Sequence, residues 1–445
     1  MGKLLNYKVL IITLLMLLLL IPLAMIRGVI SERTFYRAET RQDIAESWTG
    51  AQKLLGPLLV VPYSETETRS VWDENLKRYK EESYITRNHL YLLPDQLNVT
   101  AKVATENRSR GLYSIPVYTS EMHLEGVFDT KPLVELVARK GNITVGNAYL
   151  SVVVTDIRGV VVQPELTWQG RMTRFVSGSA IDNLESGMHA VVGELSADLV
   201  QRHPFSFDMS MHGMETIEFS PVGNTTQVDM EAAWPHPSFI GRYLPSARTI
   251  NPRSFSAQWR VSSFSSDMPR IISDCAAGNC QEFSGNTFGV SLVNPVDIYQ
   301  QTERAVKYAI LFIVLTFVAF FLFEVMKQLR LHPMQYLLVG SALTLFYLLL
   351  VSLSEHVAFH WAYLGAALSS TLLIGVYVSG VLASTARGAA ITGGLLLLYA
   401  MLYAILRSED NALLMGSLLI FAVLAIVMLV TRKFDWYRIG GQSTL

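Results

Sequence analysis

The sequence predicts a multi-pass α-helical membrane protein of six transmembrane helices, with a large, mainly antiparallel β domain inserted between helices 1 and 2. Three observations lead there. Of 445 residues, 51% are hydrophobic and only 16% charged, which is unusual for a soluble domain. The apolar residues collect at the two ends, in six stretches each close to the ~20 residues a helix needs to cross the hydrocarbon. Between the first and second stretch, residues 27–304 alternate in polarity and are broken by Gly, Pro and Asn, as antiparallel strands require.

Residues 1–8 read as a cytoplasmic N-terminus and 9–26 as the first span. Its apolar core exceeds the ~7–15 residues of a signal peptide, and "PLAMIRG" offers no small-residue cleavage site, so it reads as an uncleaved anchor. The remaining spans, at about 305–323, 334–354, 358–383, 389–406 and 412–430, form a five-helix bundle, and 431–445 a cytoplasmic tail. Lys3 and Lys8, Lys327 and Arg330, Arg387, and Arg432, Lys433 and Arg438 all fall on one side. The opposite short loops hold Arg407 beside Glu409 and Asp410, and the acidic "SEH" at 354–356. This positive-inside bias puts both termini in the cytoplasm and the large domain outside.

The exported stretch from Arg27 to Glu303 contains 25 Lys and Arg against 32 Asp and Glu, net −7. That excludes a nucleic-acid binder, which needs a basic patch. Its first part, 31–54, predicts a helix capped by Ser31 and stopped by Gly56-Pro57. Strands are expected at 121–128, 149–156, 205–211, 226–232 and 254–261, with a short helix at 131–139 before Gly141. The domain is then a β-sandwich or an extended antiparallel sheet. Cys275 and Cys280, in "CAAGNC", are expected to form a disulfide in an oxidising compartment, since half a metal site would lack its other ligands.

"WPHPSFIGRYLP" at 234–245 is a stiff segment outside any central strand, because Pro235 and Pro237 fix φ and remove two backbone donors. Trp234, His236, Phe239 and Tyr243 form either a partner-binding surface or, as is commoner for such aromatics, packing.

No catalytic motif occurs: no H-E-x-x-H, G-x-S-x-G, Walker A or S-x-x-K. The expectation is a protein with no catalytic residues, no cofactor and no metal. "RLHPMQYLLVGSALTLFYLLLVSLSEH" (330–356) puts His332 and His356 24 residues apart. At 1.5 Å per residue that is roughly 36 Å, so they lie on opposite sides of a ~30 Å core and share no ion. Tyr336, Gly340, Thr344 and Tyr347 share one helical face and read as a helix-packing seam, as do Ala362, Ala366 and Ser370 in the next span. Lys307, Glu324, Glu355, Arg407 and Arg432 sit at span ends, which argues against a charged transport pathway through the midplane.

The order of one anchor, a large exported β domain and five clustered spans carries "QKLLGPLLVVP" (52–62), "WPHPSFIGRYLP", "TERAVKYAILFIVLTFVAFFLFE" (302–324) and "RLHPMQYLLVGSALTLFYLLLVSLSEH". Together these resemble the CreD family of bacterial inner-membrane proteins over nearly the whole chain. The resemblance implies a Gram-negative inner-membrane location with a periplasmic domain. It also implies a role in cell-envelope integrity and envelope stress response, with colicin tolerance, β-lactam response and the Cre two-component regulon. It implies no reaction and no catalytic residues. The expected partners are the lipid bilayer and an unidentified periplasmic or inner-membrane envelope component, bound without catalysis. A lipid or peptide transport component and a cell-wall hydrolase are the alternatives.

Overall fold

The computed structural model describes residues 2–73, 78–140, 142–292, 298–327, 331–408 and 411–432. Gly141, Arg330, Glu409, Asp410 and the tail from 433 onward, with Lys433 and Arg438, lie outside the described residues. The chain divides into two compact units, Met1–Ala38 with Val296–Leu445, and Glu39–Pro295.

Helix α1 (Gly2–Ser47) leads into strands β1 (Gln52–Asp73), β2 (Arg78–Leu92), β3 (Pro94–Arg110) and β4 (Tyr113–Asp129). Helix α2 (Lys131–Lys140) precedes β5 (Ile143–Val145), β6 (Ala148–Val154), β7 (Glu165–Trp168), β8 (Arg171–Arg174), β9 (Val176–Ser177) and β10 (Gly187–Gly193). There follow β11 (Arg202–Met214), β12 (Thr216–Phe219), β13 (Thr225–Ala232), β14 (Ser238–Gly241), β15 (Ala247–Ile250) and β16 (Phe255–Ser262). Short helices α3 (Ser263–Ser266), α4 (Met268–Ala276) and α5 (Gln281–Gly285) come before β17 (Phe288–Ser291). The last five elements are α6 (Ile298–Lys327), α7 (Pro333–Ser354), α8 (Phe359–Val381), α9 (Thr385–Arg407) and α10 (Ala412–Thr431).

Among the described residues, five helices are long and apolar enough to cross a membrane: Tyr7–Ser47, Ile298–Met326, Pro333–Ser354, Phe359–Val381 and Thr385–Arg407. A shorter apolar helix covers Leu414–Leu429. In the helical unit α6 packs on α7, α7 on α8, α8 on α9 and α10 on α9. Helix α1 joins them through Ile12, Leu19, Leu23, Ile26 and Ile30, spaced three, four and seven apart on one face. Its other apolar side chains, Leu10, Leu14, Leu17 and Ile21 among them, stay exposed, as on a helix solvated by lipid. His332 caps α7: its Nδ1 accepts from the Met334 amide at 3.2 Å, and Gln335 Oε1 accepts from the His332 amide at 3.1 Å. Pro333 follows in the first turn, where its missing N–H costs nothing.

The β unit holds two sheets. The first runs β14-β17-β12-β1-β6-β10-β9, with β2 and β5 also on β1, and the second runs β15-β16-β13-β3-β4-β11-β7-β8. Their inner residues form one core, in which Leu59, Val60, Leu150 and Val152 of the first sheet join Val99, Phe207, Val228 and Trp259 of the second. The pairs β1 with β12 and β3 with β13 are parallel, so both sheets are mixed around an antiparallel majority.

The helix expected at 31–54 is corrected. Ser31 lies inside α1 and has no helix start to cap, because the backbone before it is already helical. The helix stops at Ser47, and Gln52 already opens β1. "LLGPLLVV" is apolar on both faces, the pattern of a buried strand. Gly56-Pro57 breaks no helix and instead sits at an irregularity in the β1–β6 register between Leu55 and Leu58, with Gly56 at φ +121°. The expected strands lie within β4, β6, β11, β13 and β16 or overlap them, and α2 covers the expected short helix.

Candidate functional site

The outer face of the second sheet is the broadest polar surface that the strands organise. Alternation buries Leu97, Val99 and Val103 of β3 and turns Asn98, Thr100 and Lys102 outward. The register then sets Ser256, Glu231, Lys102, Glu121 and Ser210 in one row across β16, β13, β3, β4 and β11. The next row is Gln258, Asp229, Thr100, His123 and Asp208. Asp229 accepts from Gln258 Nε2 at 2.7 Å and Gln227 Nε2 at 2.8 Å, and His123 Nδ1 lies 2.7 Å from Asp208 Oδ1. Two open concavities of about 330 and 620 Å³ lie on this face and share Lys102, Glu231 and Ser256.

Glu121 and Glu231 flank Lys102 two strands apart, so their backbones are roughly 10 Å from each other. A glycoside-cleaving pair needs one carboxyl kept protonated by apolar surroundings. Here both stand on an open polar face with an ammonium group between them. The arrangement suits hydrogen bonding to a polar polymer or protein surface better than acid–base chemistry.

The segment 234–245 borders the same unit. Strand β14 pairs with β17 at the edge of the first sheet, and β15 then pairs with β16 at the edge of the second. Phe239 meets the Trp259 ring edge-on at 5.8 Å and Phe255 at 6.0 Å. Tyr243 packs on Phe288 and its hydroxyl donates to Asn286 Oδ1 at 3.2 Å. Trp234, half-buried, donates its Nε1–H to the His236 carbonyl at 3.0 Å, and the His236 side chain is exposed. Phe239, Tyr243 and Trp234 therefore all pack against the core, and the exposed side chains of this segment include His236 and Leu244. Cys275 and Cys280 are joined in a disulfide at the α4–α5 turn, beside Arg270, which binds Asp267, Asp274 and Glu282.

Two histidines of β11 lie in surroundings that disfavour their charged form. His203 is buried, stacked on Trp168 at 5.3 Å and in contact with the Gln169 amide. His212 stacks on Trp48 at 3.9 Å, and the Arg108 guanidinium lies 3.4 Å over the same Trp48 ring. Burial lowers both pKa values below the ordinary 6.5, and Arg108 lowers that of His212 further. The unfolded chain thus binds more protons than the folded one just below pH 6.5. Stability is expected to rise with pH through that interval and to level off above about 6.5 as far as these two groups are concerned. Thermal unfolding between pH 5 and 8 will check this, with His203→Gln/His212→Gln expected to flatten the slope. An unchanged slope in the double variant would refute the assignment.

In the helical unit Tyr336, Gly340, Thr344 and Tyr347 are all buried on one side of α7. A Cβ on Gly340 would stand 2.9 Å from Phe317 Cζ of α6 and collide with Leu19 Cδ1 of α1, so any larger residue requires those side chains to shift. Thr344 Oγ1 donates to its own helix, at Gly340 O. Of the four, Tyr336 bonds across helices, its hydroxyl donating to Glu324 of α6, and further bonds between helices come from other residues. Ser370 Oγ donates to Ala342 O at 3.2 Å, and Tyr363 hydroxyl to Tyr399 O at 2.7 Å.

Glu324, three residues from the end of α6, is only 4% exposed. It pairs with Lys8 of α1, accepts from the Tyr336 hydroxyl at 2.8 Å, and accepts from the Leu331 amide at 3.0 Å. Further along α1, Arg33 lies 3.3 Å from Glu355, which also accepts from the Tyr299 hydroxyl at 3.3 Å. Hydropathy marks Glu324 only as a charge near a span end. That it is enclosed by a lysine 316 positions away has no local signal. Two clefts between the helices, one beside Tyr336 and one beside Tyr347, measure about 10 Å³ each, too little for a lipid. Among the described residues no group of three or more His, Cys, Asp or Glu could hold a metal ion.

A family model described as "Inner membrane protein CreD" matches residues 4–437. The Inner membrane protein CreD of Escherichia coli (strain K12) is 37% identical over 422 residues, covering 95% of this chain and 91% of that protein. Two structures of an M1 zinc metallopeptidase from Deinococcus radiodurans, one of them a substrate-bound mutant, align at TM-score 0.18 with 10% and 8% identity. They cover 38% of this chain and 39% and 38% of those chains, and a likeness so low carries no argument about fold or activity.

Proposed function

We propose that this chain, which belongs to the CreD family of inner membrane proteins, maintains the cell envelope under stress by binding an envelope partner through its β unit, without catalysis. In this reading α10 is the sixth span, both termini are cytoplasmic, and the β unit is periplasmic, inserted between the first two spans. The apolar run Leu414–Leu429 and the Lys and Arg bias of one set of loops support that topology. The polar outer face of the second sheet, with Lys102 between Glu121 and Glu231, carries the binding role. The partner is an envelope protein or cell-wall polymer, and the biological outputs are envelope integrity, colicin tolerance and the β-lactam response.

The transport reading gains nothing from the two interhelical clefts of about 10 Å³. The hydrolase reading would have to use Glu121 and Glu231, which lack the apolar enclosure that holds a carboxyl protonated. The test is a deletion strain grown under inducing conditions, complemented with the wild type or with Lys102→Ala/Glu121→Ala/Glu231→Ala. Detergent and β-lactam sensitivity are expected to return to normal with the wild type only, at equal protein levels. Normal sensitivity in the deletion strain would end the proposal, and full complementation by the triple variant would remove the face from it.

A further inference from the structure

Strands β1 and β2 form a hairpin longer than the sheet that carries it. Their register runs from Leu59 opposite Leu92 to Asp73 opposite Arg78. On its other side β1 meets β6 up to Val60 and β5 at Tyr63–Glu65. From Glu67 outward the described residues form a two-stranded ribbon, seven pairs long or roughly 23 Å. Among the described residues β2 has β1 as its one strand partner; α4 reaches it and Leu92 is buried, while residues 83–87 are exposed with no further strand on that edge. An isolated two-stranded ribbon is at best marginally stable in water. This one nevertheless exposes Tyr79 (70%), Ile85 (69%), Trp72 and Tyr84.

We propose that the outer edge of β2 pairs antiparallel with the same edge of a second copy of this chain, about a two-fold axis at Tyr84. Along a strand, successive residues turn their N–H and C=O groups to alternate sides. Two identical edges related by a two-fold axis therefore centre on a residue and never between residues. Centring on Tyr84 puts Glu81 opposite Arg87 of the second copy, twice, and Ser83 opposite Ile85, twice. Centring on Ser83 puts Glu81 opposite Ile85, and centring on Ile85 puts it opposite His89. Within its own ribbon Glu81 stands opposite Ser70 and Arg87 opposite Ser64, so neither has an opposing charge across the strand pair. Both are exposed. Charged residues along an edge block indiscriminate pairing, and of these three registers the one at Tyr84 sets Glu81 against an opposite charge. The Tyr84 register covers Tyr84 and Ile85 and makes an edge-to-edge dimer with an isologous interface.

The experiment uses full-length protein in detergent micelles, with mass measured across a concentration series. The wild type is expected to dimerise, and Glu81→Arg and Arg87→Glu are each expected to weaken association at least tenfold. Glu81→Arg/Arg87→Glu is expected to restore it, which also shows that the single variants were folded. Tyr84→Cys, at the axis, is expected to give a covalent dimer on mild oxidation, because the native cysteines are already paired. A wild type that stays monomeric, or a double variant no tighter than the single ones, would overturn the proposal.

Discussion

Replacing Glu324 with alanine is expected to cost the helical unit about 3–5 kcal/mol, the range for removing one partner of a buried ion pair. Glu324 is enclosed by Lys8, the Tyr336 hydroxyl and the Leu331 amide, and its loss leaves all three facing an apolar gap. Lys8→Met is expected to be comparably harmful, because it leaves the carboxylate without its cation. Lys8→Met/Glu324→Met is expected to recover most of the stability, since an apolar pair of similar volume needs no desolvation. Unfolding titrations in mixed detergent will give the four values of the cycle. Losses below about 0.5 kcal/mol in both single variants would place the pair with ordinary surface contacts.

The second large effect is expected at Trp259. Its side chain is fully buried, packs against Phe239 and Phe288, and donates its Nε1–H to the Tyr243 carbonyl at 3.2 Å. Trp259→Ala is expected to destabilise the β unit by about 3–5 kcal/mol through lost transfer energy and a residual cavity. Trp259→Phe keeps most of the ring contact and is expected to cost less. Because Phe239 and Tyr243 both lean on Trp259, the segment 234–250 is expected to loosen first. Limited proteolysis of Trp259→Ala will test this: cleavage within 234–250 ahead of cleavage elsewhere supports it, and simultaneous cleavage throughout argues against it.

What was legible in the sequence follows from the range of each signal. Hydropathy over ~20 residues located the apolar helices, and period-two alternation located β11, β13 and β16, because both patterns are local. The end of α1 was misread, since Ser31 has the chemistry of a cap but sits inside a helix that began earlier. The parallel pairing of β3 with β13 joins strands more than a hundred residues apart and leaves no local trace. The enclosure of Glu324 and the rows across the second sheet are likewise products of register and packing. "WPHPSFIGRYLP" drew notice for its prolines and aromatics, yet two of its aromatics turned out to hold β14 and its flank onto the core. The β1–β2 ribbon had no sequence prominence, because its charges and hydroxyls resemble a loop.

The pairing of Lys8 with Glu324 also sets a timetable for assembly. The two residues are 316 positions apart. At ~5–20 residues per second, a chain emerging from the ribosome reaches Glu324 about 15–60 s after Lys8. Through that interval the first helix waits in the bilayer without its counter-charge, its lysine drawn to the headgroup layer, while the whole β unit is synthesised. Final closure of the bundle therefore follows synthesis of the β unit, and anything that delays the chain there prolongs the exposure of the first helix.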